Sequence, residues 1–153
     1  MAVEIHEDQP LVEAGAPWIK RFWAPAIAEQ SYPAPEIHPA LELFGYVAWA
    51  SYKIPPDFTT LDNLYVVMWP EWTGAYNISF WPHFGQCGEL WNVHNQWQIL
   101  PVAMTLNKFT CYDLVPQFPV LLANLAAGDH LLLRVLNQTA QRLHVYGMDG
   151  RYS

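Results

Sequence analysis

The sequence predicts an all-β fold: an antiparallel β-sandwich, expected as an eight-stranded jelly roll, preceded by an extended proline-rich N-terminal arm. Three observations predict it. Short apolar or alternating runs recur between turn residues from residue 41 onward. They do not alternate with long helical patterns, which argues against a βαβ sheet. Residues 1–40 differ: they carry Pro10, Pro17, Pro25, Pro33, Pro35 and Pro39, and six of the fourteen acidic residues. The expected division is therefore an arm, 1–40, and a sandwich, 41–153. A chain of 153 residues is long enough to bury a core without a disulfide or metal staple. Hydrophobic residues at 52% against charged residues at 14% exclude intrinsic disorder.

In the arm, proline fixes φ and disfavours helix in the residue before it. A helical turn or two over residues 18–23 would stop at Pro25. The arm nevertheless holds Leu11, Trp18, Ile19, Phe22, Trp23 and Ile27, more apolar surface than a solvated linker needs. It is expected to lie on something, either its own domain or a neighbouring subunit. Trp18, Phe22 and Trp23 are its candidate anchors.

The strands follow in order. Residues 43–52 are rich in aromatics, with Phe44, Tyr46 and Trp49. Pro55, Pro56 and Asp57 then mark a turn. Residues 64–69 form a continuous apolar run, as in a strand buried on both faces. Thr73 and Gly74 turn the chain into Tyr76, Ile78 and Phe80, which alternate with Asn77 and Ser79. Residues 97–106 read as a strand, and 115–125 as a short helix or a loop over one end of the sandwich. Runs at 129–137 and 142–148 are joined by 138–141, the spacing of a hairpin. There Leu143 and Val145 should face in, with Arg142 and His144 out.

Net charge is −7, and no Lys or Arg occurs between Lys53 and Lys108. Neutralising phosphates needs clustered cations, so neither nucleic acid nor an anionic membrane is an expected partner. No apolar run approaches the ~18 residues of a membrane span. The opening MAVEIHEDQP is acidic and lacks an apolar stretch, so no signal peptide is expected. Cys87 and Cys111 are expected as buried free thiols, although two cysteines alone cannot decide against a disulfide.

No motif for nucleophilic, phosphate-binding or zinc chemistry is present. His-x-His is absent, and His83, Glu89 and His94 are the nearest approach to a metal set. Glu71 and Glu89 form a formal carboxylate pair with nothing further to single it out. No enzyme activity, catalytic residue, metal or cofactor is expected. The unusual feature is tryptophan: eight in all, six of them between Trp49 and Trp97. Trp69, Trp72, Trp81, Trp91 and Trp97 surround the turns at 70–75 and 82–88. They are either a core or subunit interface, or a surface platform on which sugars stack.

The order of these signals resembles small β-sandwich virion surface proteins of phages and phage-like elements. The matching run begins with Ile54-Pro55-Pro56-Asp57-Phe58, Leu61 and the strand at 64–69. Gly74, the strand at 76–80, Gly88-Glu89 and the stretch at 92–94 continue it. Leu125-Ala126-Ala127-Gly128-Asp129 before a strand, then Val145-Tyr146-Gly147 and Arg151-Tyr152, close it. The resemblance spans residues 44–153, and tryptophan is more abundant here than in that group. It implies a structural protein of the capsid decoration, minor capsid or spike type, made in a host cytoplasm and placed on the virion surface. Its expected partners are copies of itself, a trimer above all, and other virion proteins. A carbohydrate- or receptor-binding module using the tryptophans is the alternative.

Overall fold

The computed structural model describes residues 20–28, 41–43 and 47–153. Its regular structure is almost entirely strand, arranged as two antiparallel sheets packed face to face. The first sheet runs β1 (Lys20–Pro25), β11 (Leu143–Tyr152), β5 (Leu61–Pro70), β9 (Thr110–Asp113), and β3 (Leu41–Leu43) also pairs with β11. The second runs β2 (Ile27–Ala28), β4 (Val47–Lys53), β10 (His130–Asn137), β6 (Gly74–Gly85), β7 (His94–Asn95), and β8 (Gln98–Met104) also pairs with β6.

Alternation sets the core. Leu64, Val66 and Met68 of β5 face Tyr76, Ile78 and Phe80 of β6, with Leu131, Leu133 and Val135 beside the latter on β10. Leu143 and Val145 face in as expected, and Arg142 and His144 lie outside that buried set. Strand β5 is not buried on both faces. Tyr65, Val67 and Trp69 are half-exposed on its outer side, where Arg151 lies over Tyr65 and His144 against Trp69. An apolar run in a sandwich strand can therefore have one wet face.

The segment after β10 is not a hairpin loop. Strand β10 pairs with β4 and β6, whereas β11 pairs with β1, β3 and β5, so the chain crosses between sheets. Asn137 shapes the crossing: its Oδ1 accepts from the Thr139 amide at 2.9 Å and its Nδ2 donates to the Gln141 carbonyl at 2.6 Å. Gln138 reaches back to Ser79 at 2.8 Å, and Ser79 is buried although it faces outward. Residues 115–125 combine both expected forms: a loop with one helical turn, α1 (Pro119–Leu122), that brings Phe118 and Leu122 into the core.

Residues 20–28, from the stretch expected as an arm, belong to the sandwich itself. Strand β1 extends the first sheet along β11 and β2 extends the second along β4. Phe22 is buried and Trp23 is about half exposed on the opposite side of β1, while Trp18 lies outside the described residues.

Gly128 explains the turn before β10. Its φ of 85° is left-handed, which suits glycine, and it lets the buried Asp129 carboxylate accept from the Ala126 amide at 2.8 Å. The Gly128 amide and Asp129 carbonyl then pair with Ile54 at 2.9 and 2.8 Å, tying this turn to the end of β4.

Candidate functional site

The outer face of the second sheet carries the site. Strand alternation aims every second residue of β4, β10 and β6 away from the core, and register lines them up in rows. Trp49, Arg134 and Trp81 form one row, and Ser51, Leu132 and His83 form the next. Lys53, His130 and Gly85 complete the ladder. The Arg134 guanidinium sits 5.6 Å from the Trp49 ring and 5.5 Å from the Trp81 ring, a cation shared by two indoles.

The segment after β6 folds back over this face. Glu89 pins its first turn: Oε2 accepts from the Gln86 amide at 3.0 Å, and the Glu89 amide donates to the Gln86 carbonyl at 3.1 Å. Trp91 then meets Trp81 edge to face at 6.4 Å and His83 at 5.9 Å. Trp81 is held by its own N–H, which donates to Asn95 Oδ1 at 3.1 Å, and Asn95 donates in turn to the Asn92 carbonyl at 2.7 Å. The result is an open cavity of about 520 Å³ between the sheet and this segment.

Its walls are mostly apolar, from Trp49, Trp81, Leu90, Trp91 and Leu132. His83 is the buried polar group, only 6% exposed, and its Nε2 has no hydrogen-bond partner. Burial pushes its pKa below 6.5; a hydrogen bond to the Trp91 backbone opposes this, and the Arg134 charge adds to it. The imidazole is therefore neutral near pH 7. At the rim Cys87 Sγ lies 3.5 Å from His130 Nε2. Among the described residues no Lys or Arg lines the cavity, and Glu89 is the one carboxylate that does.

Of the five tryptophans singled out from sequence, the cavity gathers Trp81 and Trp91. Trp97 stands next to it, in a shallow pocket with Trp81 and Arg134. Trp72 packs edge to face on Tyr76 after β5, and Trp69 lies against His144 on the other sheet. None of the seven tryptophans among the described residues is in the buried core, so the core half of the sequence reading does not hold. Trp49, Cys87 and His130 were not singled out for the site; outward alternation on their strands was the signal that could have found Trp49 and His130, whereas Cys87 sits in the turn after β6, where no period applies.

Glu71 and Glu89 are not brought together. Glu71 stands 3.4 Å from His144 of β11, whereas Glu89 is folded onto its own turn. His83 and Glu89 share the cavity, but His94 stacks on Phe84 at 4.9 Å. Among the described residues no three His, Cys, Asp or Glu side chains are grouped to hold a metal. Cys87 and Cys111 are free, and both are exposed rather than buried. Cys111 lies on β9, a strand too short and too near an edge to cover it.

No known protein family, curated protein or solved structure matches the chain at a significant level.

Proposed function

We propose that this chain is a jelly-roll assembly module of the phage-like virion surface type, joined to copies of itself as a trimer. The jelly-roll reading is supported by strand order. Taking β1, β2 and β7 as additions, one sheet reads β3-β11-β5-β9 and the other β4-β10-β6-β8. That is the order expected of an eight-stranded double Greek key. The virion assignment rests on the sequence resemblance over residues 44–153.

One observation carries the assembly reading. The second sheet carries large apolar side chains on its outer face as well as its inner one, with Trp49, Trp81, Leu132 and Leu136 set among Arg134, Ser51 and Lys53. Beyond the Trp49–Arg134–Trp81 row lies another, Val47, Leu136, Ser79 and Ile99. Ile99 is 48% exposed and the nearby Trp97 is 55% exposed. An antiparallel sheet normally turns a polar face to water. Contiguous apolar surface on a single subunit favours association, because burying it yields roughly 25 cal/mol per Å² before ordering costs. Closed symmetry hides such a face on every copy.

The test is solution mass by light scattering on a sizing column. Three chains per particle is the expected result. A monomer at the highest soluble concentration would remove the assembly reading.

A further inference from the structure

We propose that the cavity beneath Trp91 binds a neutral pyranose ring. It lies toward the end of the sheet that carries His83 and His130, on the side of the Trp49–Arg134–Trp81 row opposite the Val47–Ile99 row.

The chemistry of a sugar ring matches the walls. A pyranose has apolar C–H faces and a girdle of hydroxyls. Indoles receive the faces: Trp81 and Trp91 meet at 70°, which offers two differently oriented walls to one ring. The hydroxyls need polar partners at the edge. His83 supplies one in the interior, a ring nitrogen that is buried and has no hydrogen-bond partner. Buried polar atoms seldom remain unpaired, and a hydroxyl, which can donate or accept, removes that deficit by bonding Nε2. Gln86 and His130 line the cavity as well and offer further donors and acceptors.

Charge narrows the class. With no cation among the described lining residues and Glu89 present, a sialic or uronic acid would meet an uncompensated carboxylate. Arg134 lies over Trp49 and Trp81 and serves their rings. Size agrees: about 520 Å³ falls in the range of pockets for small ligands and suits a mono- or disaccharide. A purely aromatic occupant would fill the walls but leave the polar edge unanswered.

The experiment is saturation-transfer NMR on the full chain with methyl glycosides of glucose, galactose, mannose and N-acetylglucosamine, including an acidic sugar for comparison. Light scattering in the same buffer records the oligomeric state, so failure of assembly and failure of this site are separate results. At least one neutral glycoside should receive transfer, strongest on a ring C–H face, and the acidic sugar should not. Trp91→Ala should weaken binding about tenfold, and His83→Gln should also weaken it. Trp91 is 69% exposed, so its variant keeps the fold even if the His83 variant does not; far-UV circular dichroism checks both. Trp23→Ala, on the other sheet, should leave affinity unchanged. Silence from every neutral glycoside overturns the proposal. So does binding that survives Trp91→Ala, or binding of indole or p-cresol with the sugars silent.

Discussion

Phe22 lies flat on Tyr52, with ring centroids 4.4 Å apart and planes 10° from parallel. Phe22 belongs to the first sheet and Tyr52 to the second, so this stack fastens the N-terminal strand across the core. The partner of Phe22 on β11 is Gly150, and a Cβ there would sit 2.1 Å from the Phe22 ring. The space that Phe22 fills is space that Gly150 leaves.

Two substitutions test this relationship. Phe22→Ala should cost about 3–5 kcal/mol by urea denaturation, the range for a large buried aromatic. Gly150→Ala should also destabilise, because the ring cannot yield without leaving Tyr52. Trp23→Ala, one residue on but half exposed, should stay within about 0.5 kcal/mol. Equal effects for Phe22 and Trp23 would mean that β1 is paired in a different register.

The turn at 126–129 makes a second prediction. Gly128→Ala places a side chain at a φ of 85° and should cost about 1–3 kcal/mol. Asp129→Ala removes the acceptor for the Ala126 amide and should cost about 1.5–3 kcal/mol. Thermal denaturation of each variant measures both. Since this turn is bonded to Ile54, hydrogen exchange should also accelerate at the Ile54 amide.

Acid should act through His83. Its folded-state pKa is lowered from 6.5, so below that pH the unfolded chain binds more protons than the native one. The stability it contributes is complete above pH 6.5 and declines as pH falls toward the folded-state value. Denaturant midpoints taken from about pH 7 to about pH 5 should therefore drop further in the wild type than in His83→Gln. Parallel curves would mean that His83 is protonated in the native state without penalty.

Cys87 reports on the cavity. It lines the cavity, whereas Cys111 lies on β9 of the other sheet; both are exposed. Iodoacetamide should label both thiols, and a bound methyl glycoside should slow labelling at Cys87 alone, read by peptide mass spectrometry. Equal protection at both sites would point to a general change in the protein rather than occupancy.

Assembly makes its own prediction. Ile99→Glu puts a charge into the outward row of the second sheet, where no core contact is lost. The variant should fold, and its mass should fall to that of a single chain. An unchanged mass would place the interface elsewhere.

The β class was legible in the sequence because period two needs no partner to be read. Tyr76, Ile78 and Phe80, and Leu143 with Val145, announced their inward faces, and these side chains are buried. Pro55, Pro56 and Asp57 announced their turn by residue type, and the Phe58 amide closes it on the Pro55 carbonyl. The crossing at 138–142 was not legible as a crossing, because a hairpin and a link between sheets use the same short polar residues. Only the pairing partners of β10 and β11 separate the two.

The abundance of tryptophan was likewise a sequence fact, and its meaning was not. Alternation says that Trp49 and Trp81 point the same way along their own strands. It does not say that Arg134 stands between them, or that Trp91 returns over His83. Those juxtapositions join residues up to 85 positions apart, Trp49 and Arg134 being the extremes. By itself the sequence determined the β class, the inward faces of the strands that alternate cleanly, and the turns marked by Pro55-Pro56-Asp57 and Thr73-Gly74. The tertiary structure alone decided which strands became neighbours, and with that which side chains share a cavity, because side-chain period is a local property and register is not.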